Sequence, residues 1–145
     1  MENMKLRSAN NPDIELIINY IFEFRLDFED ISPEQFTIAE MDGKIAGFGR
    51  IKKYSNSYEL STLGVLKEFR SAGIGSEIVE KIISDFPVED VWIVTRIPEY
   101  FNRFGFKEAD DFPEEIRESK LRICNSSCGE SEKLYFMHRK RSHSS

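Results

Sequence analysis

The spacing of apolar residues changes along the chain and predicts a sequence of strands and helices. Residues 5–7 predict the start of a first strand. A helix follows, because Asn11 and Pro12 provide an N-cap and a proline at the first helical position. Apolar residues then recur at helical spacing, at Ile14, Ile17, Ile18 and Ile21. The acidic segment 27–33 contains proline and predicts a loop or a short second helix.

The middle of the chain shows the shorter period of strands. Segments 36–40, 45–53 and 58–65 each predict a strand. The first two are separated by Asp42-Gly43, a strong signal for a two-residue hairpin, and the next two by the polar segment 54–57. This part of the chain therefore predicts an antiparallel meander.

A helical period returns after a glycine-rich turn. One apolar helix face comprises Ile78, Val79, Ile82, Ile83 and Phe86. The apolar segment 91–94 predicts a buried central strand, and 100–104 a short helix that Gly105 ends. Segments 114–122 and 133–138 predict a further helix and a closing strand. The pattern predicts one mixed α/β domain over residues 1–138 and a flexible basic tail over 139–145.

Composition narrows the classes of function. A length of 145 residues suits one domain, and 40% hydrophobic with 32% charged residues is typical of a globular chain. The net charge of −6 argues against nonspecific nucleic-acid binding, which needs a basic surface. No apolar run approaches the roughly 20 residues of a membrane helix. The polar start and the two cysteines predict a cytoplasmic protein with reduced thiols.

The segment 65–76 carries the most specific chemistry. Gly73 and Gly75 lie where a predicted strand turns into a helix, so the backbone can turn tightly and approach a ligand. The helix start offers N–H groups and a positive dipole end, which suit a pyrophosphate, and Arg70 adds charge. The segment lacks the Gly-Lys-Ser/Thr of a Walker loop and the third glycine of a Rossmann fingerprint. An ordinary strand-to-helix turn is the alternative.

Two motifs resemble those of GNAT N-acetyltransferases. Arg70-x-x-Gly73-x-Gly75 resembles the acetyl-CoA motif, and the segment 100–106 resembles the late helix that ends in Gly-Phe. The resemblance implies a mixed central sheet with a V-shaped splay, flanked by helices, and acetyl-CoA as co-substrate. Backbone groups of Leu63 and Val65 would pair with the pantetheine arm. The pyrophosphate would bind Arg70 and the amides of Ser71, Ala72, Gly73, Ile74, Gly75 and Ser76.

A closer resemblance concerns the acceptor. Thr95-Arg96 with the segment 100–106 resembles the acetyltransferase module of N-acetylglutamate synthases, and 111–114 is similar to the segment after Gly-Phe in those proteins. This implies a small-molecule amine such as a glutamate-like amino acid. Its carboxylate would need a cation, for which Arg25, Arg50 and Arg96 are candidates. A polyamine or a protein lysine or N-terminus is the alternative, with the acidic residues Asp27, Glu29 and Asp30 as its candidate ligands.

Amide formation needs a base, a polarised carbonyl and a departing thiolate. Glu59 is the candidate base, because many members of the family place an acidic residue at the start of this strand. A backbone N–H in 63–65 would polarise the carbonyl. The family's usual tyrosine position is Phe101 here, so Tyr100 or a water is the candidate acid, unless the thiolate leaves unaided. The same phenylalanine keeps open a noncatalytic acetyl-CoA-binding module.

The sequence also allows predictions about metal binding and about assembly. Cys124 and Cys128 with His138 and His143 loosely resemble a zinc finger, but the gap between cysteine and histidine is too short, so no metal is predicted. The family resemblance allows a homodimer, although no exposed stripe indicates one.

Overall fold

The computed structural model describes residues 4–70, 72–127 and 133–141, except for the side chains of 124–127. Within these residues the chain forms seven strands and four α-helices. In chain order they are β1 (Met4–Ser8), α1 (Asn11–Glu23), β2 (Phe36–Met41), β3 (Lys44–Lys53), β4 (Tyr58–Val65), α2 (Ile74–Asp85), β5 (Asp90–Thr95), α3 (Pro98–Asn102), β6 (Lys107–Glu108), α4 (Glu114–Ser127) and β7 (Tyr135–Lys140). The strands form one sheet in the order β1-β2-β3-β4-β5-β7-β6. The predicted mixed α/β sheet with flanking helices is thereby confirmed.

Strand direction makes the sheet mixed. The pairs β1–β2, β2–β3, β5–β7 and β6–β7 are antiparallel. β4 and β5 run parallel, with Glu59 opposite Trp92. The chain divides into two compact units, one of Met1–Ile51 with Ser61–Asp85 and the other of Lys52–Leu60 with Phe86–Ser145.

The first unit is built around α1 and the strands β2 and β3. Ile17 and Ile21 of α1 are fully buried with Phe36, Ile38 and Phe48. The helix begins one residue earlier than predicted. Asn10 is the N-cap, and its side chain and that of Asp13 bond each other's backbone N–H groups in a capping box.

Glycines of β3 let α2 lie close to the sheet. A Cβ on Gly47 would lie 2.9 Å from Cδ1 of Ile78, and one on Gly49 would lie 2.7 Å from Cδ1 of Ile82. The helix therefore rests its isoleucines directly on the β3 backbone. This contact fixes the start of α2 relative to the strands of its own unit.

The second unit departs from the sequence predictions in several elements. α3 ends at Asn102 and α4 at Ser127, where the sequence predicts 104 and 122. In β5, Val91, Ile93 and Thr95 are buried while Trp92 and Val94 are half-buried, so the strand alternates instead of being buried on both faces. The ring of Trp92 packs at 5.0 Å from that of Phe112. The two-residue strand β6 was not predicted. β7 runs to Lys140, so the closing strand continues two residues beyond its predicted end and includes the first two residues of the predicted tail.

In the part of the chain that the structure describes, no helix combines the length and apolar character required to cross a membrane.

Candidate functional site

A left-handed glycine ends the turn that leads into α2. Gly73 has a φ of +77°, and a Cβ built on it would meet no atom within 4 Å. Glycine is therefore needed here for its backbone conformation, and not because a Cβ would clash with a neighbour. Gly75 is the second residue of α2 and has no positive φ, unlike Gly43, Gly73 and Gly105 among the described glycines. Its missing side chain leaves the helix start open to close approach.

The first turn of α2 presents backbone N–H groups. The N–H of Glu77 donates to the carbonyl of Gly73 at 3.2 Å and closes this turn. The amides of Ile74 and Gly75 precede that bond and so have no carbonyl in the same helix to bind. Ala72 is exposed and Ser76 half-buried, while Ser71 lies outside the described residues. The geometry suits an anion such as a pyrophosphate.

Arg70 turns back toward β4. Its Nε donates to the carbonyl of Val65 at 2.9 Å, and its guanidinium lies 5.2 Å from the ring centroid of Phe24. The side chain is exposed and ties the turn to the end of the strand. Leu63 and Val65, the predicted partners of the pantetheine arm, are half-buried in β4.

Thr62 is strained within β4. Its φ is +55°, which is an outlier for a β-branched residue, and the residue is only 6% exposed. The hydroxyl donates to the carbonyl of Asp27 at 3.1 Å and accepts from Nε of Arg50 at 3.0 Å. Such strain persists only where the surroundings enforce it, and it often occurs at functional sites. It changes the direction of the backbone immediately before Leu63.

Arg50 is fully buried, and all its donors are occupied by the protein. Nε donates to Thr62, Nη1 to the carbonyl of Glu29 at 2.8 Å and to Oε1 of Gln35 at 3.0 Å. Nη2 donates to the carbonyl of Asp27 at 3.4 Å and pairs with its Oδ1 at 3.1 Å. A guanidinium has five N–H donors, so none remains for a ligand carboxylate. We therefore infer that Arg50 anchors the acidic segment and does not bind the acceptor.

The acidic segment 27–33 and its flanks contain both buried and exposed charged residues. Asp27 is 6% exposed and committed to Arg50, which removes it from the candidate ligands of a cationic acceptor. Arg25 and Asp30 are exposed, with φ values of +58° and +54°. Glu29 is half-buried. Arg96, in the second unit, is also exposed.

Glu59 lies in the second unit in a cluster of buried polar groups. The residue is 1% exposed, and the hydroxyl of Tyr54 donates to its Oε1 at 2.7 Å. Nζ of Lys120 lies 3.0 Å from its Oε2. Lys52, which is 2% exposed, donates to Oγ of Ser119 at 3.2 Å. Glu59 is therefore not a carboxylate exposed to solvent at the end of its strand.

The predicted acid lies in an aromatic cluster of the second unit. The ring of Tyr100 is half-buried and lies 5.1 Å from Phe101 and 5.4 Å from Phe104. The guanidinium of Arg103 stacks on it at 4.3 Å. Phe101 is buried and packs against Phe106, so the position where the family carries tyrosine has a core role.

The predicted absence of a metal stays a prediction. Nε2 of His138 lies 2.8 Å from Oδ1 of Asp90, and the centroid of its ring lies 4.4 Å from that of Trp92, with the two ring planes tilted. Cys128 and His143, and the side chain of Cys124, lie outside the described residues. Among the residues that the structure does describe, no three histidine, cysteine or acidic side chains form a group suited to a metal.

Sequence reasoning missed Thr62 and the partners of Glu59. Nothing in the sequence distinguishes Thr62 from an ordinary strand residue. Lys120 did leave a signal. It lies four residues after the buried Ile116, and so occupies a position at which an amphipathic helix usually carries an apolar residue.

Comparison with known proteins identifies the same family that the sequence motifs resemble. A family model described as an acetyltransferase (GNAT) domain matches residues 32–108, more than half of the chain. An uncharacterized N-acetyltransferase of Chlorobaculum tepidum is 36% identical over 87 residues, which cover 56% of this chain and 56% of that protein. The chain thus spans about half the length of this curated relative.

Two solved structures share the fold. N-acetylglutamate synthase from Neisseria gonorrhoeae, complexed with coenzyme A and N-acetyl-glutamate, superposes with a TM-score of 0.76 at 20% identity, over 97% of this chain and 36% of that one. The protein Rv2747 from Mycobacterium tuberculosis, in complex with CoA and NLQ, superposes with a TM-score of 0.73 at 21% identity, over 94% of this chain and 98% of that one.

Proposed function

Since the chain belongs to the acetyltransferase (GNAT) family, we propose that it transfers the acetyl group of acetyl-CoA to the primary amine of a small molecule. The family prediction made from the glycine turn and the late Gly-Phe helix is thereby confirmed. The proposal includes a glutamate-like amino acid as acceptor and a cytoplasmic location.

The glycine turn is the observation on which this function depends. Gly73 has a left-handed backbone conformation, although a Cβ at this position would meet no other atom within 4 Å. The amides of α2 that follow it have no carbonyl of their own helix to bind. An anion-binding helix start explains both features. The donor is acetyl-CoA, with its pyrophosphate at residues 71–76 and its pantetheine arm along Leu63 and Val65. The gonococcal synthase and Rv2747 were both crystallised with CoA, which supports this choice.

Three groups of the chain would carry the reaction. Glu59 takes a proton from the acceptor ammonium, directly or through a water. The amine attacks the thioester carbonyl, whose oxygen is polarised by a backbone N–H of 63–65, and the strained Thr62 sets the direction of that backbone. The C–S bond breaks and the thiolate leaves. A thiolate near neutral pH is a fair leaving group, so Tyr100 or a water is a sufficient acid.

The acceptor assignment depends on which of the candidate charges lie in the interior and which do not. Arg50 and Asp27 neutralise each other in the interior. Arg25 and Arg96 remain as candidate ligands for a carboxylate, and Glu29 and Asp30 remain for a polyamine. The N-acetyl-glutamate bound to the gonococcal synthase favours the amino acid.

Calorimetric titration with acetyl-CoA tests the donor site, with desulfo-CoA and NAD as ligand controls. Gly75→Asp should abolish CoA binding, because it places a carboxylate at the anion site. Ser84→Asp adds the same charge at the exposed far end of α2 and should leave binding intact. Equal affinity in wild type and Gly75→Asp would remove the proposed site. An amine screen that starts with glutamate and spermidine then identifies the acceptor class, and binding without turnover would indicate a regulatory module.

Glu59→Gln tests the base. The rate should fall mainly at low pH, where the amine is protonated and most needs a base, and should approach that of wild type at high pH. Glu108→Gln removes an exposed carboxylate of β6 and serves as the control. A pH–rate profile of Glu59→Gln that coincides with the wild-type profile would exclude Glu59.

A further inference from the structure

Three charged side chains are buried together in the second unit. Glu59 is 1% and Lys52 2% exposed, and the side chain of Lys120 is 10% exposed. Removing ions from water costs several kcal/mol each, and a well-packed apolar cluster would often be as stable. Retention of buried titratable groups points to a role beyond stability.

The two partners of Glu59 approach different oxygens of its carboxylate. Tyr54 donates to Oε1 at 2.7 Å and Lys120 to Oε2 at 3.0 Å. Together they fix both the plane and the rotation of the carboxylate. Each carboxylate oxygen has two lone pairs, and these two hydrogen bonds use one lone pair on each oxygen. The carboxylate is thus oriented and can still accept a proton.

Lys120 is itself held in place by its helix. One face of α4 carries Glu115, Ser119 and Lys120. Oε2 of Glu115 accepts from the backbone N–H of Asn56 at 3.0 Å and from the hydroxyl of Ser57 at 2.6 Å. Oγ of Ser119 accepts from Lys52. α4 therefore docks on the segment from Lys52 to Glu59 through polar contacts, and these contacts set the position of the Lys120 ammonium.

We propose that Lys120 and Tyr54 are positioning residues that hold the carboxylate of Glu59 in the orientation in which it accepts the proton during acetyl transfer. This inference rests on the proposed function. The acceptor ammonium gives one proton to Glu59, its nitrogen bonds the acetyl carbon and loses a second proton, and the C–S bond breaks. The thiolate takes up one of these protons and the other passes to solvent, so Glu59 is ionised again for the next turnover.

The electrostatics follow from the charged groups around Glu59 and Tyr54. Lys120 from α4 places its ammonium 3.0 Å from Oε2 of Glu59, and Lys52 from β3 adds positive charge 5.0 Å from the centroid of the Tyr54 ring. Glu115 of α4 is the opposing charge, and it is held by Ser57 and Asn56. Removing the Lys120 ammonium therefore takes away the positive charge beside the carboxylate that serves as the base.

The experiment measures kcat/KM against pH for Lys120→Met, Lys120→Arg and Tyr54→Phe. In Lys120→Met the acid limb of the profile should move to higher pH by about one unit or more. Lys120→Arg keeps the charge and should keep the acid limb near its wild-type position. Tyr54→Phe loses one donor and should shift the limb in the same direction by less. Lys140→Met, which removes an exposed lysine 2.9 Å from Asp90, is the matched control and should show no shift.

The outcomes separate this inference from the proposed function. If wild type binds no CoA or acetylates no amine, the proposed function fails and the inference falls with it. If wild type turns over and Lys120→Met lowers the rate equally at every pH, the inference alone is wrong. If Lys120→Met does not fold by circular dichroism, Tyr54→Phe decides, because it removes only a hydroxyl, and an unshifted acid limb there overturns the proposal.

Discussion

Gly73 and Gly43 form a natural pair for separating backbone strain from ligand binding. Their φ values are +77° and +81°, and a Cβ on either would meet no atom within 4 Å. Gly73→Ala and Gly43→Ala should therefore each cost about 1 kcal/mol of unfolding free energy for the same reason. Only Gly73→Ala should also weaken CoA binding. Chemical denaturation and calorimetry measure the two effects, and equal CoA affinities in both variants would contradict a ligand role for Gly73.

Asp13 makes the stability of the first unit depend on pH. The hydrogen bond from Arg7, at 2.6 Å, lowers the pKa of the Asp13 carboxyl, and the carboxylate also accepts from the N–H of Asn10. Because the folded pKa lies below the unfolded value, the contribution is present above about pH 4 and is lost as the pH falls through the folded pKa.

Asp13→Asn should accordingly lower the unfolding free energy by about 1 kcal/mol at pH 7, since Arg7 is partly exposed to solvent. The difference from wild type should shrink below about pH 4, as wild type loses the same contribution. Urea denaturation from pH 3 to pH 7 measures it. A difference that stays constant over this range would show that the charge of Asp13 contributes nothing.

At the scale of single residues, the sequence indicated the proposed donor site better than the surroundings of Glu59. Gly73 can be recognised in the sequence because few other residues adopt a left-handed backbone conformation. Gly75 can be recognised because it belongs to the Arg70-x-x-Gly73-x-Gly75 motif. The partners of Glu59 are Tyr54, just beyond β3, and Lys120 in α4, which follows Glu59 by 61 positions. Spacing along a sequence does not reveal which distant side chains share one carboxylate. Arg50 was predicted to bind the acceptor because its burial could not be foreseen. That burial depends on contacts with the loop at Asp27 and Glu29, which is distant in sequence.

Among the elements, the contact of α2 with β3 is the most sensitive to added volume. Gly49→Ala would bring its Cβ to within 2.7 Å of Cδ1 of Ile82, and overpacking of this kind costs about 1–3 kcal/mol. We expect lower stability and weaker CoA binding together, because the start of α2 moves with the helix. Adding Ile82→Val removes Cδ1 and should recover part of both losses. A double-mutant cycle without coupling between the two positions would refute this.

The strands β2 to β5 were predicted within one residue at each end, whereas α4 continues to Ser127, beyond its predicted end at 122. β4 was predicted with its observed bounds, and the hairpin at Asp42-Gly43 has positive φ at both central residues, as its sequence requires. The predicted bounds were wrong where tertiary contacts determine whether a strand forms and where it ends. β6 has two residues and exists only by pairing with β7, and β7 continues to Lys140 because β5 provides partners that far.

For the whole molecule, ligand binding should appear as a gain in stability. CoA at about 100 times its Kd should raise the unfolding free energy by about 2.7 kcal/mol, because only the folded chain binds it. Thermal unfolding followed by circular dichroism measures a rise of several degrees in Tm. Gly75→Asp should lack the rise at the same CoA concentration. An equal rise in this variant would mean that CoA binds away from the start of α2.

The buried guanidinium of Arg50 has a consequence for how the chain can vary. It binds the backbone carbonyls of Asp27 and Glu29, whatever side chains those positions carry, and Phe28 between them is 38% exposed. In a saturation library selected for folding alone, position 50 should reject even lysine, which cannot supply five directed donors. Position 28 should accept most residues. One invariant side chain in the interior thus leaves the outer side of this loop free to diversify.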